Sequence, residues 1–151
     1  MTMSSEDEER LRRLVIELRL LQDSSGALQS RLRVVEAAIT ELQVANSTLD
    51  GLKRREKSTL MLVPVGGSSY VKAELGDVDR VIFGVGAGVV LEKSFEEAQA
   101  SMSDQMKELE KAHTAILQQL TQLGARIDET RSQIDGLSKR MSEGSSGVRE
   151  A

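Results

Sequence analysis

Aliphatic side chains recur at steps of three and four through the first fifty residues: Leu11, Leu14, Leu18, Leu21, Leu28, Leu32, Val35, Ile39, Leu42 and Leu49, with only Ser25 and Asn46 polar in the series. Such steps place every member on one narrow stripe of a helix. A stripe kept for about five heptads is the seam of a coiled coil. A second seam runs through Met102, Met106, Leu109, Ile116, Leu120, Leu123, Ile127, Ile134, Leu137 and Met141, interrupted at His113 and Thr130. The two match in length. Ser5 with Glu8, and Ser94 with Glu97, have the spacing of a capping box and predict the helix starts. Lys139 and Arg140 ahead of Gly144 predict a stop.

Between the seams the period changes to two. "TLMLVPV" is a short apolar run, "YVKAEL" alternates Tyr70, Lys72 and Glu74 with Val71, Ala73 and Leu75, and "RVIFGV" and "VVLEK" follow. Alternation is the signature of strands. The punctuation is turn chemistry: "GGSS" at 66–69, "GDVD" at 76–79 and "GAG" at 86–88. The pattern therefore predicts an N-terminal coiled-coil helix over 1–57, two β-hairpins over 58–93, a C-terminal coiled-coil helix over 94–143 and a disordered tail over 144–151. The fold class is α+β: a long antiparallel two-helix coiled coil with a central pair of hairpins that oligomerise into barrel-like sheets. Opposed positions should have numbers summing to about 151, so that Leu49 faces the level of Met102.

Composition narrows the chemistry. The aromatic residues are Phe83, Phe95 and Tyr70, so the large side chains that line most ligand pockets are nearly absent. With 24 acids against 20 bases the net charge is -4, which offers no nucleic-acid surface. There is no cysteine, hence no disulfide, thiolate nucleophile or ordinary zinc site. The start "MTMSSEDEER" is acidic, unlike a signal peptide, and no apolar run approaches the ~20 residues of a membrane span. A soluble, cytoplasmic protein is expected, with neither nucleic acid nor membrane as partner.

"FGVGAGVV" at 83–90 spaces Gly84, Gly86 and Gly88 much as a phosphate-cradling loop begins. The sixth position is Val89, a strand separates the loop from the next helix, and no Gly-Lys-Ser or Gly-Lys-Thr occurs. The glycines suit a hairpin instead: Gly86 and Gly88 supply positive φ, and Gly84 marks a bulge or a close approach. His113 is the lone histidine and sits on a seam, where a polar residue helps fix register. "KELEK" at 107–111 reads as solvated helix pairing. "LKRREK" at 52–57 has no interleaved aromatic and suits the end of a helix dipole. No catalytic residue, cofactor or metal ligand emerges, so the chain is not expected to be an enzyme.

Two surfaces remain uncovered. Leu60, Leu62 and Val71 on one side of the pleat compete with Met61, Val63 and Phe83 for very little cover, and the strand edges are open, Pro64 blocking one position at most. Oligomerisation solves both problems. At the other end "LRRLVIELRLL" adds Val15, Ile16 and Leu20 to the seam, a wider apolar surface than a two-helix coil covers. Just inboard lie Ser24, Ser25 and Gly26, with Gly124 across from them, and two glycines at one level predict a soft joint.

The order helix, "LVPVGGSSYVKAEL", "VIFGVGAGVVLEKSFEEA", helix closely resembles the prefoldin family, in particular its archaeal alpha class, over nearly the whole chain. The four-strand centre carries the resemblance, since beta-class members have a single hairpin. The resemblance implies an ATP-independent holdase chaperone, a hexamer of two alpha and four beta subunits, without cofactors. The hairpins would form its body. The coiled-coil tips would capture unfolded client proteins and hand them to a group II chaperonin. By position, the client-binding tips are Leu11, Leu14, Val15, Ile16, Leu18, Ile134, Leu137 and Met141. The oligomerisation residues are Leu60, Leu62, Val65, Val71, Leu75, Val81, Phe83, Val85, Val89 and Leu91. Phe83 departs from the family pattern, which favours something smaller. A structural coiled-coil adaptor or scaffold subunit is the competing reading, separable by whether several unrelated denatured proteins are kept from aggregating.

Overall fold

The computed structural model describes residues 2–149, with side chains described from 5 to 144. In chain order it contains α1 (Thr2–Lys53), β1 (Leu60–Gly66), β2 (Ser69–Glu74), β3 (Arg80–Gly86), β4 (Val89–Ser94) and α2 (Phe95–Arg149). β1 pairs with β2 and β3 with β4, both antiparallel, as two separate two-stranded sheets. Two long helices flank two hairpins, as the change of period from 3.5 to 2 predicts.

The seams explain the helices. Every seam position from Leu11 to Leu49 except Asn46, which is exposed, and every one from Met102 to Met141 is buried or half-buried, Ser25, His113 and Thr130 included. Helix ends follow local chemistry more closely than the capping pattern does. At α2 the Glu97 N–H donates to the Ser94 hydroxyl at 3.1 Å, and Glu96 and Glu97 occupy the first turn, where the helix dipole favours acids. α1 is different. It already runs from Thr2, so Ser5 and Glu8 lie inside the helix; no glycine or proline precedes Ser5 to stop the helix extending back past it. It ends at Lys53, short of the expected residue 57, because the Arg55 N–H turns back to the Leu52 carbonyl at 3.0 Å and Ser58 adopts a left-handed φ of 71°. The α2 backbone passes the expected stop at Gly144 to reach Arg149, and the tail expected from 144 falls mainly outside the residues whose side chains are described.

The hairpins repeat one design. Gly67 and Ser68 (φ 56° and 59°) form the first turn, Ala87 and Gly88 (φ 52° and 75°) the second. Two positive φ values in a row match the twist of the flanking strands. Just before each turn the register shifts, leaving Val65 and Val85 without partners, and Gly66 and Gly86 take φ values of 105° and 102°. The assignment of Gly86 and Gly88 to positive φ holds.

The chain divides into two compact units. One comprises residues 36–111. Its core is Leu49, Phe83, Phe95 and Ala98, with Leu52, Val78, Val81 and Met102 packed against it. The Lys93 ammonium lies 4.8 Å from the Phe83 ring centroid, a cation–π contact that closes the exposed side of this core. Gln99 donates to the Asp50 carboxylate at 2.8 Å. The β3–β4 hairpin is therefore docked on the helices by Phe83 and Val81, whereas no residue of β1 or β2 belongs to that core.

The other unit comprises residues 1–35 and 112–151. Leu14, Leu21, Val35, Ile116 and Leu137 are buried in it, together with Thr130, whose hydroxyl donates to the Arg126 carbonyl at 2.8 Å and so stays satisfied within the seam. The Arg126 guanidinium donates to the Glu17 carboxylate at 3.1 Å. The positions of that pair sum to 143, and those of Asp50 and Gln99 to 149, both below the expected 151.

Candidate functional site

Strand register sets the faces of each hairpin, because neighbouring residues point to opposite sides. Met61 pairs with Ala73 and Val63 with Val71, giving one wholly apolar face. The opposite face pairs Leu60 with Glu74, Leu62 with Lys72 and Pro64 with Tyr70. Val71 thus shares a face with Met61 and Val63, not with Leu60 and Leu62 as the alternation alone suggests: register across the turn, set by the extra residue Val65, decides the side. In the second hairpin Val81, Lys93, Phe83 and Leu91 share the docked face, and Ile82, Glu92, Gly84 and Val90 the other, with Arg80 3.9 Å from Glu92.

Most of the expected body residues are exposed: Leu60 at 64%, and Leu62, Val65, Val71, Val85, Val89 and Leu91 likewise. Leu75 and Val81 are half-buried and Phe83 is buried. Phe83 covers the root of its own helices, which explains why a large ring stands where a smaller residue is expected. Val63, Tyr70, Ile82 and Val90 are exposed as well, and the alternating period contains the signal for them. Each two-stranded sheet also carries open edges, which template further strands.

The helical unit of residues 1–35 and 112–151 carries the second surface. Leu14 and Leu137 (3% exposed) are buried in the seam, and Leu11, Leu18, Ile134 and Met141 are half-buried along it. Val15 (44%) and Ile16 (61%) are exposed, and so is Leu20. Of the eight residues expected at the tips, six therefore lie covered or half-covered on the seams, and Val15 and Ile16 form an uncovered aliphatic flank. Gly26 and Gly124 are both helical, with open space where a Cβ would stand.

His113 lies half-buried in the seam, and among the described residues no group of three metal-capable side chains assembles. "LKRREK" ends α1 and makes the turn into β1, closed by Ser58 N–H to the Leu75 carbonyl at 2.7 Å and Leu75 N–H to the Thr59 carbonyl at 2.8 Å. Among the described residues no helix is long and apolar enough to cross a membrane.

Comparison with known proteins agrees with this geometry. Residues 21–140 match the family model of the prefoldin subunit. A prefoldin alpha subunit from Methanopyrus kandleri is 40% identical over 115 residues, which are 76% of this chain and 73% of that protein. One from Pyrococcus horikoshii is 30% identical over 126 residues, 83% of this chain and 85% of its own. Among solved structures, a chain of filamentous PFD from Methanocaldococcus jannaschii superposes with a TM-score of 0.67 at 25% identity, covering 81% of this chain and 98% of that one. The prefoldin beta subunit from a Thermococcus strain shares the fold, with a TM-score of 0.56 at 16% identity over 84% of this chain and 90% of that one. A family match over most of the length, joined to a coiled coil with two hairpins at its centre, shows that the chain belongs to the prefoldin family of chaperone subunits.

Proposed function

We propose that the chain is the alpha-class subunit of an ATP-independent holdase, joined to beta-class subunits through its hairpins and holding non-native proteins at the coiled-coil unit of residues 1–35 and 112–151. The observation that carries the capture role is the exposed flank of Val15 and Ile16 beside a seam already closed by Leu14 and Leu137. Aliphatic side chains that a two-helix coil leaves in water are matched by aliphatic segments of an unfolded chain. Burying them is worth roughly 25 cal/mol per Å² and demands no particular sequence of the partner. The exposed hairpin faces and open edges support the hub in the same way, since further strands supply both apolar cover and hydrogen bonds. Delivery to a group II chaperonin is the next step in this scheme, with the cytoplasm as its setting.

The test is aggregation of several unrelated denatured proteins, mixed with this chain and a beta-class subunit, with and without ATP. Suppression in every case, indifferent to ATP and lost on deleting residues 1–20 and 135–151 while the assembly keeps its mass, is the expected result. Protection of one protein alone, or unchanged protection after the deletion, would point to an adaptor.

A further inference from the structure

The chain as a whole is acidic, yet residues 10–35 hold six arginines and only two acids, Glu17 and Asp23. Glu17 is already engaged by Arg126. The arginines are ordered. Arg12-Arg13, Arg19-Leu20, Gly26-Ala27 and Arg33-Val34 follow one another at intervals of seven, on the side of α1 turned away from the seam, and all eight are exposed. Leu20 is 62% exposed and Val34 70%. Arg13 pairs with Glu9 at 3.7 Å and Arg33 donates to the Ser30 hydroxyl at 3.1 Å, whereas Arg12 and Arg19 meet no carboxylate among the described residues. Asp23 is the one acid on this outer face within the strip.

We propose that this outer face of α1, from Arg19 to Val34, is a docking strip for an acidic amphipathic helix of another protein, beginning just past the client-binding flank of Val15 and Ile16. The spacing selects a helix. Residues seven apart stand about 10.5 Å apart along α1, and a helix laid along it at a small crossing angle presents its own side chains at that interval. Leu20 and Val34 require aliphatic partners, and the arginines beside them require carboxylates, which they can meet two-pronged. Gly26 and Ala27, midway, let the two backbones approach. A duplex strand, with a phosphate about every 3.4 Å of its axis, matches neither the interval nor the aliphatic positions.

The probe is a fluorescein-labelled synthetic helix about four heptads long, with Glu and Leu adjacent in every heptad, titrated by anisotropy against the full chain assembled with a beta-class subunit. It is expected to bind. A scrambled peptide of equal composition should not. Arg19→Glu with Arg33→Glu should weaken binding about tenfold, because two attractive pairs become repulsive, whereas Arg19→Lys with Arg33→Lys should retain most of it. A peptide with Lys for Glu should prefer the reversed variant. Aggregation suppression by that variant should stay at the level of the parent, so failure of the strip and failure of the holdase reading give different results. Equal binding of the scrambled peptide, indifference to the charge reversal, or displacement of the peptide by duplex DNA or phosphatidylserine vesicles at lower concentration would overturn the proposal.

Discussion

Gly86 and Ala87 stand side by side with φ values of 102° and 52°, and the second is a residue that pays for the conformation in steric strain. Open space surrounds the position of a Cβ at Gly84, Gly86 and Gly88, so crowding does not explain the glycines; backbone conformation does. Only Gly86 and Gly88 of these three have positive φ. Gly84 lies in ordinary strand geometry opposite Val90. The three should therefore part company in urea unfolding of the isolated chain. Gly86→Val is expected to cost about 1–2 kcal/mol and Ala87→Gly to gain roughly 1 kcal/mol, while Gly84→Val should be neutral or slightly stabilising. A Gly84→Val chain as damaged as the Gly86→Val chain would show that proximity, and not φ, explains the motif. The spacing in "FGVGAGVV" was enough to argue a turn against a phosphate loop. It also placed positive φ at Gly86 and Gly88; for Gly84 it left a bulge or a close approach open, and the register slip that follows Gly84, with open space around its Cβ position, favours the bulge.

The two hairpins share a turn design and differ in how they are held. β3–β4 is fastened to the helix root through Phe83, under Lys93 and against Leu49, Phe95 and Ala98. β1–β2 has no residue in that core and is tied to the chain before it by the bonds that Ser58 and Leu75 make. Isolated two-stranded hairpins are marginal in water, so local opening should differ between them. In hydrogen exchange on the isolated chain, amides of Met61–Ala73 should exchange at least about tenfold faster than those of Phe83–Leu91, and both sets should slow once a beta-class subunit is added. Equal protection in the isolated chain would mean that Phe83 anchors nothing. This asymmetry was not legible in the sequence, where Phe83 reads as one more strand residue awaiting an external partner. The seams were legible at every position but Asn46, which is exposed, and down to His113 and Thr130, because a 3.5-residue period records the presence of a partner helix. Helix ends were less so: Ser94 caps as its motif requires, but the equally good motif at Ser5 lies inside α1, since a capping box permits a start without forbidding an earlier one.

Taken as a subunit, the chain leaves an unusual share of itself in water. It exposes 11538 Å², whereas a monomeric protein of 16.5 kDa exposes about 7,500 Å². Part of that excess is aliphatic surface on hairpins whose edges are unpaired, and such surface is stabilised by whatever covers it. Folding and association are then linked, and the folded state gains RT ln(1 + [L]/Kd) from its partner, about 2.7 kcal/mol when the partner is at a hundred times its Kd. The melting temperature of the hairpin region should accordingly rise with protein concentration if the chain self-associates, and should rise further on adding a beta-class subunit. Deleting residues 1–20 and 135–151 should leave that rise in place, since the hairpins and their core lie within 36–111. Calorimetry over a hundredfold concentration range, with mass measurement at each point, checks this. A melting temperature that ignores both concentration and the beta-class subunit, with a monomeric mass throughout, would show that the hairpins are stable uncovered and would remove the argument for a hub.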